Sequence, residues 1–228
     1  EKLFLRQERI QSGEQPPVYP FNLKGVQDLV GGLETGSLTI VAARPSMGKT
    51  AFVLSECIGW AQKGLPGLIF SLEQEDYKIG QRNLANLEAI PVSYLRQKLD
   101  EKHLDKFYTG LSKLRELPIR INDRRGLTAD QICSIARVEK MRNPNMKWVA
   151  VDYLTAMNID DRNYYLQVGQ AVKKLRDLAK EIDVFVILVS QLNRKLEDRK
   201  DKRPNLADLR DSGNIEEFAD VILFLYRE

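Results

Sequence analysis

The sequence predicts an α/β fold in which helices flank a mostly parallel central sheet. Short apolar runs of strand length alternate with segments of helix length along most of the chain. Elements in this alternating order form a parallel sheet with right-handed crossovers. The apolar runs carry few charges, as expected of strands that are buried on both faces. Several runs are followed by a polar residue, which indicates that the carboxyl edge of the sheet holds the functional groups.

Length and composition are those of one large globular core. A chain of 228 residues buries roughly 70 to 75 per cent of its unfolded surface around such a core. The longest apolar runs, Val184–Val189 and Val221–Tyr226, are far shorter than the ~18 residues of a membrane span, and no signal peptide begins the chain. We therefore expect a soluble, cytoplasmic protein with no membrane partner.

Charge and cysteine content narrow the functional classes. The formal net charge of +3 is too small to establish nucleic-acid binding, so that case depends on local clusters of basic residues. Cys57 and Cys133 lie inside predicted helices and lack C-x-x-C spacing. This argues against a disulfide framework or a zinc site, and we expect both residues to be buried.

The first 20 residues are distinct from the rest of the chain. Glu1–Ile10 predicts a short helix, and Gln11–Pro20 is a polar connector that contains proline. A helix this short is marginal alone, so it either frays or docks, for instance on a neighbouring subunit. A disordered terminus is the alternative. We divide the chain into a linker helix and connector, residues 1–20, and a main domain, residues 21–228.

The strand predicted at Leu38–Ala42 opens into a phosphate-binding loop, and an apolar helix at Thr50–Lys63 follows. In such loops, backbone N–H groups and the helix N-terminus converge on the β-phosphate. Lys49 can reach the β- and γ-phosphates, and the Thr50 hydroxyl can bind Mg²⁺. The pattern G-x-x-x-x-G-K-[ST] is broken only at its first glycine, which is Ala43. The residues assigned to ATP binding are Ala43, Arg44, Pro45, Ser46, Met47, Gly48, Lys49, Thr50 and Ala51.

Periodicity places the remaining elements in alternating order. The further predicted strands are Leu68–Leu72, Ile119–Asn122, Trp148–Val151, Val184–Ser190 and Asp220–Tyr226. The further predicted helices are Asp76–Leu87, Val92–Gln97, Glu101–Arg115, Ala129–Arg142 and Asn163–Asp183. Thr128 is the expected N-cap of the helix at Ala129–Arg142.

Three strand ends carry polar side chains that we expect to meet beside the phosphate loop. Glu73, Asp152 and Gln191 each follow an apolar strand, and ligands in open parallel sheets bind beyond the carboxyl ends of the strands. Asp152 suits a Mg²⁺ ligand, Glu73 suits the base that polarises the attacking water, and Gln191 suits a γ-phosphate sensor. The cofactors that this arrangement predicts are ATP and Mg²⁺.

The segment Asn193–Gly213 is long and lacks clear periodicity. Such segments in compact domains are usually functional or mobile. Its excess of basic residues suits contacts with a nucleic-acid backbone. A solvated loop of mixed charge is the alternative, because acidic residues are interspersed.

At these positions the chain resembles the DnaB-type replicative helicases, specifically their RecA-like C-terminal ATPase domain. The resemblance covers nearly all of the chain, and the family also has alanine at position 43. The strings that carry it are Ala42–Phe52, Phe70–Glu73, Val151–Leu154, Ser190–Arg194 and Asp208–Gly213 followed by Ala219 and Asp220. Pro17–Gly36 is less typical of the bacterial proteins, which leaves a phage or mobile-element source open.

The resemblance implies a hexameric ring that threads single-stranded DNA and unwinds duplex at a replication fork. It also implies ATP bound between subunits, with primase and a helicase loader as partners. It assigns phosphate and Mg²⁺ contacts to Lys49 and Thr50, the catalytic base to Glu73, and the metal to Asp152. Gln191 would couple the γ-phosphate to the DNA loops. The DNA contacts it implies fall on Arg194, Arg210, Asp211 and Gly213.

The resemblance also sets two expectations about the ends of the chain. The family has an N-terminal helical domain and continues beyond the last strand into a segment that supplies a basic finger to the neighbouring subunit's ATP. Because neither segment is found in this sequence, we expect a domain fragment and poor ATP hydrolysis by residues 1–228 alone.

Two other functions remain open at the level of the residues. A RecA-type recombinase shares the fold, the phosphate loop and the strand-end carboxylates, but binds DNA as an open filament. A non-enzymatic ATP-dependent loader or scaffold would keep Lys49 but needs no base, so Glu73 speaks against it.

Overall fold

A six-stranded parallel sheet forms the centre of the domain. The structure is a computed structural model that describes residues 17–154, 157, 164–199, 201–212 and 215–227, together with positions 4, 8, 11 and 12. Its strands are β1 (Val18–Tyr19), β2 (Leu33–Glu34), β3 (Leu38–Ala43), β4 (Gly67–Ser71), β5 (Ile119–Asn122), β6 (Trp148–Asp152), β7 (Phe185–Gln191) and β8 (Val221–Phe224). Its helices are α1 (Lys24–Val30), α2 (Lys49–Gln62), α3 (Asp76–Leu87), α4 (Glu101–Glu116), α5 (Ala129–Arg142), α6 (Tyr164–Glu181) and α7 (Ile215–Phe218).

Strand order brings the predicted functional strands side by side. The order across the sheet is β5-β4-β6-β7-β3-β8. Ser71 at the end of β4 pairs with Asp152 at the end of β6, and Ala43 at the end of β3 pairs with Gln191 at the end of β7. The carboxyl ends of four neighbouring strands therefore form one edge, as the alternating pattern predicted.

Helices cover both faces of this sheet. Helices α5 and α6 pack on one face, where Ile132 and Leu175 join the even-numbered β3 residues in the core. Helices α2 and α3 pack on the other face with an aromatic cluster in which the rings of Trp60 and Phe185 lie edge to face, 4.9 Å between centroids. The sheet is thus buried on both faces, which explains why its strands read as continuous apolar runs.

The residues before β3 form a layer that the sequence did not predict. Strands β1 and β2 pair antiparallel, and α1 lies between them. The buried carboxylate of Glu56 on α2 accepts hydrogen bonds from the backbone N–H of Asn22 and Leu23, at 2.6 and 3.0 Å. It also accepts from Asn22 Nδ2 at 2.9 Å. This carboxylate therefore fixes the start of α1 against the helix that follows the phosphate loop.

Most predicted elements are confirmed, with ends that shift by one or two residues. Thr128 caps α5 as predicted, because its side chain accepts from the Gln131 N–H and the Gln131 side chain accepts in return. Cys57 and Cys133 are buried free cysteines. Of the predicted helix Glu1–Ile10, only positions 4 and 8 are described, and both are helical.

One prediction about local structure is wrong. Val92–Gln97 is not an α-helix, because only a 3₁₀ turn at Tyr94–Arg96 forms there. The segment after β7, for which the sequence shows no clear periodicity, contains 3₁₀ helices at Arg194–Asp198 and Leu206–Ser212. Short 3₁₀ turns lack the sustained apolar spacing on which helix prediction depends. Among the described residues, no helix is long and apolar enough to cross a membrane.

Candidate nucleotide-binding site

The loop between β3 and α2 has the backbone geometry of a phosphate-binding loop. Gly48 precedes the first turn of α2 with φ of 92°, a left-handed conformation that glycine adopts without strain. Ser46 also has a positive φ, 63°. The Lys49 ammonium donates to the carbonyl oxygens of Ala43 and Arg44, both at 3.0 Å. The lysine is therefore held across the mouth of the loop, at the start of a helix.

Ala43 explains why the first glycine of the motif is dispensable. It is the last residue of β3, fully buried and in register with Gln191. Its backbone is extended, so the position does not require glycine's access to positive φ. Its carbonyl oxygen accepts from Lys49 and from the Leu192 N–H at 3.2 Å.

A cleft of about 470 Å³ lies beside this loop. Three side chains from separate strand ends, Glu73, Asp152 and Gln191, line it together with the loop. The assigned loop residues that line it are Pro45, Ser46, Gly48, Lys49, Thr50 and Ala51. Arg44 and Met47 instead line a second cavity, of about 270 Å³, whose other walls come from the segment after β7 and the end of β8. The tertiary structure therefore brings most of the predicted site residues into one place.

Three residues of the cleft were not predicted. Gln74 and Tyr153 directly follow Glu73 and Asp152, so adjacency to a predicted residue is the signal that could have found them. Arg82 lies on α3, where no motif marks it. Its guanidinium adds positive charge to the same cleft, and it favours the ionised form of Asp152.

Burial dominates the electrostatics of the two ionisable groups at the centre of the site. It lowers the pKa of Lys49, and the charge of Asp152 opposes this effect while that of Arg44 adds to it. Burial raises the pKa of Asp152, whereas a hydrogen bond from the Thr50 side chain lowers it and the charge of Glu73 raises it. Removing the charges of Lys49 and Asp152 from water therefore costs free energy, and the binding of an ionic ligand would offset that cost.

The turn that presents Glu73 is fixed by hydrogen bonds on both sides. The Ser71 hydroxyl donates to the carbonyl oxygen of Gln74 at 2.6 Å, and the Leu72 N–H donates to the carbonyl oxygen of Asp152 at 2.8 Å. Glu73 itself is exposed to the cleft. An acidic side chain in this position is held rigidly at its backbone and remains accessible to water.

The site can accommodate Mg²⁺. The Thr50 hydroxyl lies close enough to the Asp152 carboxylate to lower its pKa, and oxygen ligands of this kind are those that Mg²⁺ prefers. A cation would also favour the charged form of this partly buried carboxylate, whose pKa is raised. Within the described residues, no three His, Cys, Asp or Glu side chains cluster as an all-protein metal site, and Mg²⁺ usually combines one or two carboxylates with substrate phosphates.

The segment predicted to contact DNA is only partly described. Arg194, Arg210 and Asp211 lie in its two 3₁₀ helices, and Gly213 lies outside the described residues. One of its basic residues is internally paired, since Arg199 Nη2 donates to Asp208 at 3.0 Å and to the carbonyl oxygen of Arg203 at 2.8 Å. Arg199 is one of the basic residues that give the segment its excess of positive charge. Its contacts lie within the segment and stabilise it.

Fold and site together define a RecA-like P-loop NTPase domain. Residues 20–228 match the model of the DnaB-like helicase C-terminal domain. The chain belongs to this family.

Named relatives and solved structures agree with this membership. The chain is 41% identical over 203 residues to the replicative DNA helicase DnaB of Pasteurella multocida, a match that covers 86% of this chain and 44% of that protein. The chain thus spans less than half the length of this relative. The structure of the present chain is similar to a solved ATPase domain, with a TM-score of 0.91 and 31% identity over 99% of this chain and 82% of the other. A DnaB-like replicative helicase studied for its interactions with primase matches with the same TM-score and identity, over 99% of this chain and 56% of the other.

Proposed function

We propose that the chain is the ATP-hydrolysing motor domain of a replicative DNA helicase, which uses ATP to move along single-stranded DNA and unwind duplex. The observation that carries this proposal is the single cleft that gathers the phosphate loop, Glu73, Asp152 and Gln191. Membership of the DnaB-like family supports the choice of a helicase among the ATPases that share this fold.

The residues of the cleft have distinct roles in ATP hydrolysis. Lys49 and the N–H groups at the start of α2 bind the β- and γ-phosphates. Glu73 accepts a proton from the attacking water, whose oxygen bonds to the γ-phosphorus as the bond to the β–γ bridging oxygen breaks. Thr50 and Asp152 would hold Mg²⁺, which would neutralise charge on the phosphate oxygens. Gln191 lies between the cleft and the segment after β7, which suits a sensor of the γ-phosphate.

The remaining assignments follow from the family rather than from described contacts. Arg194, Arg210, Asp211 and Gly213 are the proposed DNA contacts. We propose a homohexameric ring with ATP between subunits, and a helicase loader and primase as partners. A solved DnaB-like helicase known for interactions with primase supports the last of these. Residues 1–20 are the proposed linker and residues 21–228 the motor domain.

DNA-stimulated ATP hydrolysis by the full-length protein tests this function. Lys49→Ala is expected to abolish hydrolysis while the domain stays folded, because the Lys49 ammonium donates to two loop carbonyl oxygens and is not part of the apolar core. Lys102→Ala is the matched control, since Lys102 is an exposed lysine on α4. Glu73→Gln should retain nucleotide binding and slow hydrolysis by roughly 10² to 10⁴.

The same experiment separates the alternatives. Unchanged turnover in Lys49→Ala would contradict the phosphate-loop assignment. ATP binding without DNA-stimulated hydrolysis in the unsubstituted protein would favour a loader or scaffold. Electron microscopy of the DNA complex would show open filaments for a recombinase, whereas we expect closed rings.

A further inference from the structure

One side chain of the phosphate loop reaches the segment that follows β7. Arg44 Nη1 donates to the carbonyl oxygen of Leu192 at 2.9 Å. Arg44 Nε and Nη2 donate to the same oxygen of Glu197, Oε1, at 2.9 and 2.5 Å. All three contacts cross between parts of the chain that are far apart in sequence, at separations of 148 and 153 residues. The guanidinium therefore joins the phosphate loop to the 3₁₀ helix Arg194–Asp198.

The main chain of Arg44 belongs to the nucleotide site at the same time. Its carbonyl oxygen accepts from the Lys49 ammonium at 3.0 Å. A phosphate in the cleft attracts that ammonium. The phosphate therefore changes the hydrogen bond that the ammonium donates to the Arg44 main chain, from which the Arg44 side chain extends. The residue thus has its main chain at the phosphate site and its side chain on the segment after Gln191.

The Arg44–Glu197 contact orients the two segments more than it stabilises the fold. The Arg44 side chain is 12% exposed, whereas that of Glu197 is 60% exposed. An ion pair with one partner in solvent adds little to folding free energy. The planar guanidinium nevertheless fixes orientation, because its donors engage two acceptors on the opposite segment at once.

We propose that Glu197 is a positioning residue which, through Arg44, couples nucleotide binding at the phosphate loop to the conformation of residues 192–199. This inference rests on the proposed function, since that segment contains Arg194 and leads into the other proposed DNA contacts. The Arg44–Glu197 contact adds to two other connections between the loop and this segment, namely the covalent one through Gln191 and the hydrogen bonds that Leu192 forms with Ala43 and Arg44. Loss of Glu197 therefore weakens the coupling without removing either binding site.

The test measures DNA affinity of the full-length protein with and without ATPγS and Mg²⁺, using fluorescent oligothymidine. The ratio of the two dissociation constants is the coupling factor. We expect Glu197→Ala to reduce this factor by about threefold or more, within the range of typical allosteric couplings. Asp198→Ala is the matched control, because it removes the same charge from the same 3₁₀ helix, whereas the Arg44 guanidinium donates to Leu192 and Glu197. Glu197→Gln, which keeps an acceptor, should fall between Glu197→Ala and the unsubstituted protein.

A second readout follows the segment itself. Hydrogen exchange at residues 192–199 should change when ATPγS and Mg²⁺ bind to the unsubstituted protein and to Asp198→Ala, and should change less in Glu197→Ala. Equal coupling factors and equal exchange in the two alanine variants would overturn the role of Glu197 and leave the helicase assignment intact. Absence of DNA binding by the unsubstituted protein would overturn both.

Discussion

At the scale of the residue, Asp152 is a strand-end carboxylate whose burial opposes the stability of the fold. It ends β6 among buried apolar strands, and burial raises its pKa although the Thr50 side chain and Lys49 favour its charge. The folded protein therefore binds the Asp152 proton more tightly than the unfolded chain does. Such a group lowers the free energy of unfolding once it ionises. A residue that opposes stability at neutral pH is expected where binding requires it, which agrees with the Mg²⁺ role proposed for Asp152.

Asp152→Asn should raise the free energy of unfolding at pH 7, because asparagine resembles the neutral carboxyl without the cost of a buried charge. The gain should shrink as pH falls below the raised pKa of the folded state and should be lost below about 4, where the unfolded carboxyl is protonated too. Urea denaturation at neutral pH and at a pH below this value measures the difference. A variant less stable than the unsubstituted protein at neutral pH would mean that the ionised carboxylate stabilises the fold. ATP hydrolysis should be lost at the same time.

Among the elements, α2 connects the nucleotide site to the layer before β3. Its first turn carries Lys49 and Thr50, and its middle carries Glu56, which binds the start of α1. Gly59, one turn later, lies so close to Asn22 that an added Cβ would overlap the Asn22 side chain. The first turn of the helix therefore lines the candidate nucleotide site, and one of its faces packs against the segment before β3.

Glu56→Ala should lower the melting temperature by roughly 3 to 10 °C, because it leaves the N–H groups of Asn22 and Leu23 without their acceptor. Ser55→Ala, at an exposed position on the same helix, is the control and should change it little. Calorimetry of both variants gives the comparison. Equal melting temperatures would show that α1 docks without the Glu56 carboxylate.

At the scale of the whole molecule, four parallel strands bring separate parts of the chain to one edge. Nucleotide binding should therefore stabilise the domain as a unit, because a ligand of the folded state alone adds about 2.7 kcal/mol at roughly 100 times its dissociation constant. For a domain of this size that corresponds to about 5 to 10 °C in melting temperature.

We expect ATPγS with Mg²⁺ to produce this increase and Lys49→Ala to abolish most of it. Thermal unfolding of both proteins over a series of nucleotide concentrations measures the effect. The Lys102→Ala control should respond as the unsubstituted protein does. An equal increase in Lys49→Ala would place the nucleotide outside the phosphate loop.

Sequence reasoning found the strands and most of the cleft because their signals are local. Apolar runs mark strands that are buried on both faces, and Gly48, Lys49 and Thr50 are contiguous. It missed α1, which has no buried residue of its own and is held by Glu56, at separations of 33 and 34 residues. It also missed Arg82, since a basic residue within a helix has no neighbouring signal.

Local patterns along the chain were enough to predict the parallel α/β fold, the phosphate loop and the strand ends that meet beside it, because periodicity and short motifs depend on neighbouring residues. The other long-range contacts became evident from the folded chain alone. The tertiary structure placed Arg82 in the cleft, turned the Arg44 side chain toward Glu197, and paired Arg199 with Asp208. Those contacts depend on strand order and on how segments far apart in sequence pack, and no local pattern of residues encodes either.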